Sequence, residues 1–199
     1  MTEEHLEQFE SFDIATTLVS AEVMSALCES ESPQGVLALC SIAKEDSTEI
    51  LSRPGQIVIV DSLSDPGNMG TIIRTAHAAG AAGILTFGSC VDPLNSKVVR
   101  SSAGSLFHVP IAQVAGPEVL PKDRSVFVLT GQGSVELHPG ITQGSNNPIW
   151  VIGSEAHGVS DTWVSGKWSF TGVRIPMAAG VESLNAAVSA ALCLYSHVI

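Results

Sequence analysis

Basic residues are scarce in this sequence. Its 199 residues include nine Lys and Arg against 20 Asp and Glu, so the formal net charge is −11. The excess of acid is local, because residues 1–50 carry a net charge of −10 and residues 51–199 carry −1. The basic footprint that is typical of nucleic-acid-binding proteins is therefore missing from the composition. We predict an acidic N-terminal segment, residues 1–50, followed by a near-neutral domain, residues 51–199.

Long apolar runs are also missing. No stretch reaches the 18 or more consecutive apolar residues of a transmembrane helix. The N-terminus, MTEEHLEQFE, lacks the apolar core of a signal peptide. At 45% hydrophobic and 15% charged residues, the chain still has enough apolar material for a substantial core. These observations predict a globular cytoplasmic protein without a membrane partner.

The sequence has no pattern of a metal site or a disulfide framework. No two of the four cysteines are spaced as C-x-x-C, and the six histidines form no H-x-x-x-H pair. We expect no metal, and we interpret the cysteines as small hydrophobic residues in a reducing compartment.

Apolar runs that are typical of buried strands alternate with helical patterns. The predicted strands cover residues 56–61, 83–87, 125–130, 149–153 and a run that ends at 173–176. The predicted helices cover residues 68–79, 95–102 and 183–198, and nearer the N-terminus we predict a helix over 20–30, a buried strand over 36–42 and a linker over 43–55. This alternation indicates an α/β domain with a mainly parallel sheet flanked by helices, whose ligands bind at the carboxyl ends of strands.

Three loops that follow predicted strands are rich in Gly, Pro or Asn. The first is Asp65–Ala76, DPGNMGTIIRTA, and the second is Gly153–Gly158, GSEAHG. The third joins Ile175–Met177, IPM, to Ser183–Asn185, SLN. Taken alone, the first loop is a strand-to-helix turn that leads to a surface arginine. The second loop lacks the Gly-Lys-Ser/Thr that a phosphate-binding loop requires.

In this order, the three motifs resemble those of the SpoU/TrmH family in the SPOUT superfamily. These proteins are S-adenosylmethionine-dependent RNA ribose 2′-O-methyltransferases. A further family-like run is Lys97–Gly104, KVVRSSAG, and the resemblance covers about residues 55–196. It implies a SPOUT-type fold with a C-terminal trefoil knot. It also implies a homodimer in which one subunit delivers an arginine to its partner's cofactor.

The resemblance also extends to the acidic segment. Residues 19–38 are similar to the end of the small RNA-binding domain that precedes the catalytic domain in ribosomal-RNA members. Only about 40 residues of that domain would be present, as expected either for a piece of a longer protein or for a reduced member. This remnant favours ribosomal over transfer RNA as the substrate.

The resemblance implies roles for five catalytic residues. Arg74 matches the family's catalytic arginine, and either it clamps a phosphate and stabilises the developing alkoxide or it acts directly as the base. The first role is favoured, because a guanidinium holds its proton at neutral pH. Asn68 and Asn185 would orient Arg74 or the ribose. Glu155 would hold Arg74 in place or, as the lesser alternative, act as the base. Ser183 would bind substrate, cap the last helix, or do both.

The implied cofactor is S-adenosylmethionine, which needs apolar walls and open backbone around its adenine. The residues expected to hold it are Thr130, Gly131, Ile152, Gly153, Ile175, Met177 and Leu184. Lys97 and Arg100 lie one helical turn apart and would join Arg74 in binding RNA phosphates, unless they form a solvated helix face.

A second hypothesis stays open from the sequence, namely a catalytically weak relative that only binds RNA or cofactor. The low basic content favours this second hypothesis, and the intact set of catalytic residues argues against it. Two other classes lack their motifs, since no G-x-G-x-x-G follows the first strand and no G-x-S-x-G elbow occurs.

Overall fold

A computed structural model describes residues 9, 14–28, 33–145, 147–154, 157–165 and 168–198. The chain divides into two compact units, Met1–Ala43 and Lys44–Ile199. Among the described residues, no helix combines the length and the apolar composition needed to cross a bilayer.

The first unit contains one of the predicted helices. Helix α1, Ala21–Leu27, begins where the hydroxyl of Ser20 accepts a hydrogen bond from the backbone of Val23 at 3.3 Å. The predicted buried strand over 36–42 is wrong, because these residues form no strand and Leu39 is fully exposed. An apolar run becomes a buried strand only where neighbouring strands pair with its backbone, and no described strand pairs with this one.

The predicted linker over 43–55 contains a helix instead. Helix α2, Ser47–Ser52, begins after Asp46, whose carboxylate accepts a hydrogen bond from the backbone of Thr48 at 2.7 Å. This bond, together with one from the Thr48 hydroxyl, lowers the pKa of Asp46. The helix buries Ile50 and Leu51 against the second unit's own sheet. An N-cap and two buried apolar side chains thus stabilise a short helix in a polar segment.

The second unit is built on a seven-stranded parallel sheet. Its strands are β1 Ile57–Asp61, β2 Gly83–Phe87, β3 Ile111–Gln113, β4 Val126–Leu129, β5 Val135–Glu136, β6 Ile149–Ile152 and β7 Thr171–Arg174. They are ordered β3-β2-β1-β6-β4-β7-β5, and every neighbouring pair is parallel. The mainly parallel α/β fold that the sequence predicted is confirmed. The short strands β3 and β5 were not predicted.

Among the described residues, three helices and two 3₁₀ turns connect the strands, and a fourth helix follows the last strand. They are α3 Pro66–Ala78, α4 Ser96–Ser101, the 3₁₀ turns Ser105–Phe107 and Pro117–Val119, α5 Asp161–Val164 and α6 Ala186–Val198. Helices α3, α4 and α6 confirm the predicted helices within a few residues at each end.

The central strands are buried on both faces because their side chains alternate between two apolar layers. Val58 and Val60 of β1 face the layer that contains residues of α3 and α6. Ile57 and Ile59 face the opposite layer, with residues of α2 and Trp163 of α5. Successive side chains of a strand point to opposite faces of the sheet. Since both faces of this sheet are covered, every residue of a central strand is buried, and such a strand has an unbroken apolar run.

Helices α3 and α4 approach each other closely at Gly70. A Cβ atom at this position would lie 1.9 Å from the hydroxyl and 2.9 Å from the backbone carbonyl carbon of Ser101. The Ser101 hydroxyl also donates a hydrogen bond to the Pro66 carbonyl at 3.1 Å. The glycine of the first motif is therefore needed for helix packing.

We expect Gly70→Ala to destabilise the protein by about 1–3 kcal/mol through overpacking. This loss would outweigh the gain of about 1 kcal/mol that alanine brings to a helix interior. Urea unfolding would measure the change. Thr71→Ala, at the next and exposed position of the same helix, is the control and should stay within about 0.5 kcal/mol of the parent. An unchanged midpoint for Gly70→Ala would contradict the close contact.

Candidate active site

A cavity of about 580 Å³ opens at the carboxyl ends of three adjacent strands, β6, β4 and β7. Its walls come from the residues that follow each strand and from the segment that leads into α6. Carboxyl ends of parallel strands are the usual ligand-binding edge of an open α/β sheet. The volume lies in the range of small-molecule sites.

The loop after β6 folds back tightly on itself. Ser154 and Gly158 exchange two backbone hydrogen bonds of 3.0 and 2.8 Å. A Cβ at Gly153 would lie 2.0 Å from the backbone of Gly158, so only glycine fits there. Two residues of this loop, Glu155 and Ala156, lie outside the described residues, and the predicted role of Glu155 is not addressed by the structure.

The same loop is fastened to the centre of the sheet by a buried carboxylate that sequence reasoning missed. Asp61, the last residue of β1, is fully buried, and its Oδ2 accepts a hydrogen bond from the backbone of Ser160 at 2.6 Å. Its Oδ1 accepts one from the Ser62 hydroxyl at 2.8 Å. Through Ser160, Asp61 therefore ties this loop to the end of β1. The sequence signal for this anchor is an aspartate that directly follows four apolar residues of a strand.

The structure brings all seven predicted cofactor residues to this cavity. Thr130 and Gly131 follow β4, Ile152 and Gly153 end β6, and the remaining three, Ile175, Met177 and Leu184, belong to the third motif. Ser183 lines the cavity as well. These placements are geometric, and the binding role of each residue stays a prediction.

Three charged residues on the cavity wall were not predicted. They are Glu136, Arg174 and Glu182. Arg174 donates hydrogen bonds to Glu136 at 2.7 Å and to the carbonyl of Gly133 at 2.9 Å. Both partners of this ion pair are partly exposed, so its contribution to stability is small.

The cavity fits S-adenosylmethionine by shape and charge. Leu129, Ile152 and Ile175 offer apolar walls for a flat ring, and a side chain at Gly131 would find no atom within 4 Å of its Cβ. The backbone there is therefore open to a ligand. The described wall carries two acids and one base. A net negative wall suits a ligand that carries a sulfonium, an ammonium and one carboxylate.

The two predicted active-site amides are hydrogen-bonded to each other. Asn185 Nδ2 donates to Asn68 Oδ1 at 2.9 Å, across 117 residues of sequence. The other side-chain atom of Asn185, Oδ1, accepts from the backbones of Ala187 and Val188 at 2.9 and 3.2 Å. Asn185 is therefore the N-cap of α6. The prediction that Ser183 caps this helix is wrong, because the helix begins at Ala186 and Asn185 occupies the cap position.

The three predicted RNA-binding side chains lie outside the cavity wall. Arg74 is exposed on α3, and its side chain makes no hydrogen bond or ion pair with any residue that the structure describes. Lys97 and Arg100 are exposed on α4, one turn apart as predicted. Within one chain, the structure therefore separates the arginine from the predicted cofactor residues.

The chain matches the SpoU rRNA Methylase family over residues 55–195, which is more than half of its length. It belongs to this family. The resemblance that the three motifs indicated is confirmed.

Relatives within the SpoU rRNA methylase family cover most of the chain. It is 31% identical to RlmP of Bacillus subtilis, a 23S rRNA (guanosine(2553)-2'-O)-methyltransferase, over 89% of this chain and 70% of that protein. It is 35% identical to the 23S rRNA (uridine(2479)-2'-O)-methyltransferase of Streptomyces viridochromogenes, over 85% of this chain and 62% of the relative. The chain therefore spans about two thirds of the length of these proteins.

Solved structures show the same fold. The AdoMet-bound rRNA methyltransferase of Sinorhizobium meliloti superposes with a TM-score of 0.80 at 30% identity, over 90% of this chain and 69% of that one. The SpoU methyltransferase AviRb of Streptomyces viridochromogenes, in complex with AdoMet, gives 0.68 at 31% identity, over 78% and 64%.

Metal-binding side chains are not gathered anywhere in the described part of this SpoU family member. Among those residues, no group of three or more His, Cys, Asp and Glu is arranged to hold an ion.

We expect Asn185→Ala to lower the stability of the protein by about 1 kcal/mol, because it removes the cap of α6. Asn185→Asp should keep this stability, since a carboxylate oxygen can accept the same backbone hydrogen bonds. The Asn185→Asp variant loses the side-chain N–H that donates a hydrogen bond to Asn68. Thermal unfolding of the two variants therefore separates the cap from the amide link. Equal losses for Ala and Asp would show that the link to Asn68 supplies the stability.

Proposed function

We propose that this protein transfers a methyl group from S-adenosylmethionine to a ribose 2′-hydroxyl in RNA, with ribosomal RNA as the substrate. The observation that carries the proposal is the cavity at the ends of β6, β4 and β7, which gathers the second and third family motifs. The named rRNA 2′-O-methyltransferases among its relatives and the AdoMet complexes of its structural neighbours support the same activity.

S-adenosylmethionine, when bound, supplies a methyl group on a sulfonium, which is activated for transfer to an oxygen. Ile152, Ile175 and Leu184 would hold the cofactor's ring, with the open backbone at Gly131. Glu136 and Glu182 would complement its positive charge.

Arg74 acts on the acceptor. Its guanidinium keeps its proton at neutral pH and presents a rigid fork of donors. In this proposal it binds the phosphate beside the target ribose and stabilises negative charge on the 2′-oxygen as that oxygen loses its proton. Fixing the hydroxyl in one orientation removes much of the entropic cost of the reaction.

The Asn68–Asn185 pair positions these two halves of the site. Asn68 lies at the beginning of α3, which carries Arg74, and Asn185 caps α6 directly after the cavity-lining segment. The pair therefore holds the arginine helix against the cofactor loop. Ser183, on the cavity wall, would contact substrate.

The proposed site is completed by a second copy of the chain. Arg74 lies outside the cavity wall of its own chain, so the arginine and the cofactor meet most simply across a homodimer. Helix α6 supports this arrangement, because Val188 and Leu192 lie one turn apart and are 49% and 43% exposed. The C-terminal knot, the RNA-binding origin of residues 1–50 and a cytoplasmic location belong to the same proposal.

The activity is tested by titrating the protein with S-adenosylmethionine in a calorimeter and then following methyl-³H transfer onto total RNA. We expect saturable binding and label in ribosomal RNA as a 2′-O-methylnucleoside. Ligand binding should also raise the melting temperature by mass action. A melting curve unmoved by millimolar ligand would overturn the cofactor assignment.

We expect Arg74→Ala to lower the rate of methyl transfer about a hundred- to thousand-fold, as for the loss of one stabiliser of a developing oxyanion. Cofactor binding should be nearly unchanged, because Arg74 in this proposal binds the acceptor RNA. Arg74→Lys should restore little, since a point charge cannot replace the planar fork. Single-turnover rates and calorimetry measure the two effects. Normal turnover by Arg74→Ala would contradict the proposed role.

We expect the parent protein to have twice the 20.7 kDa chain mass in light scattering. Leu192→Glu should give monomers, because it would bury a charge in the interface. Val164→Glu is the matched control, since Val164 is 48% exposed on α5, on the opposite side of the sheet. If the parent protein is a monomer and still methylates RNA, the proposal of a site shared between two subunits is wrong.

A further inference from the structure

The few basic residues of this acidic chain are not spread evenly. Residues 66–117 contain three bases and a single acid, Asp92, for a net charge of +2. The remaining residues of the chain carry a net charge of −13, which together with this segment gives the total of −11. Helices α3 and α4 both lie in this segment and contain no Asp or Glu. A polyanion that approaches the protein meets its least repulsive surface at these two helices.

Two histidines are stacked beside the same helices. His77 lies in the last turn of α3, and His108 follows the 3₁₀ turn Ser105–Phe107. Their rings are nearly parallel, with an interplanar angle of 9° and centroids 4.6 Å apart. The hydroxyl of the buried residue Ser105 lies 3.2 Å from Nδ1 of His77 and fixes that ring. Both histidines are exposed.

This stacked pair adjoins the proposed catalytic arginine. Arg74 and His77 are three residues apart on α3, so their Cβ atoms are about 5–6 Å apart on one side of the helix. Phe107, next to His108 in sequence, is 58% exposed. Exposed flat rings and basic side chains thus occur together on a surface that is otherwise poor in both.

We propose that the His77–His108 pair is a stacking platform for an RNA base next to the methylated nucleotide. Unpaired RNA bases are recognised by stacking on aromatic side chains, histidine included, while neighbouring basic residues hold the phosphates. Lys97 and Arg100 on α4 supply such charges, and α4 packs against α3 at Gly70. The inference rests on the proposed function and adds a residue pair that holds the nucleotide beside the target.

The test uses the full chain and a fluorescein-labelled single-stranded adenylate 12-mer, whose affinity is measured by anisotropy at several salt concentrations. His108→Ala should lower the affinity about ten-fold, with an unchanged salt slope, because it removes a stacking surface and no phosphate contact. His77→Ala should do the same. His108→Phe should stay within about twofold of the parent, because a phenyl ring also stacks. Lys97→Ala should instead reduce the salt slope by about one.

Three controls accompany each variant, namely its melting curve, its mass in solution and its titration with S-adenosylmethionine, all of which should match the parent. The platform is wrong if His108→Ala binds the 12-mer as the parent does, or if His108→Phe is as weak as His108→Ala. It is also wrong if affinity falls only together with the fold or the dimer. If His108 carries 12-mer binding and the parent transfers no methyl group, the platform stands and the proposed activity falls.

Discussion

The hydrogen bond between Asn185 and Asn68 connects the two halves of the candidate site. Asn68 belongs to the helix that carries Arg74, and Asn185 begins the helix that follows the cavity-lining loop. Oδ1 of the same Asn185 side chain accepts two backbone hydrogen bonds from the first turn of α6. The amide therefore cannot rotate without losing the N-cap of that helix. Positions 117 residues apart are thereby held in one geometry. This hydrogen bond therefore joins the first motif, which contains Asn68, to the third motif, which contains Asn185.

The central part of the fold was predictable from sequence, because a strand covered on both faces must be apolar throughout. Strand β6 meets this condition in every residue, and β1 meets it in every residue except the last, Asp61. The edge strands β3 and β5 do not, since they are three and two residues long and only partly buried. Residues 36–42 were predicted as a buried strand for the same apolar composition, but they form none. Composition indicates that a segment could be buried, and it does not indicate whether a partner strand is present.

The candidate site was predictable where a motif specifies it. The seven predicted cofactor residues lie in the second and third motifs or at the ends of predicted strands, whereas Glu136 and Arg174 belong to no motif and were found only by their place on the wall. Serine and asparagine are equally good caps, so the sequence could not decide between Ser183 and Asn185. The stacked histidines were equally hidden, because 31 residues separate them and only the packing of the 3₁₀ turn against α3 brings their rings together.

The tight fold of the loop after β6 has a consequence for how ligands come and go. Gly153 is in contact with Gly158, and Ser160 is hydrogen-bonded to Asp61, so this wall cannot move outward without breaking the buried bond to Asp61. On the other side of the cavity, residues 176–183 are exposed without interruption. A ligand of this cavity would therefore exchange past residues 176–183 and leave the wall at Gly153 in place.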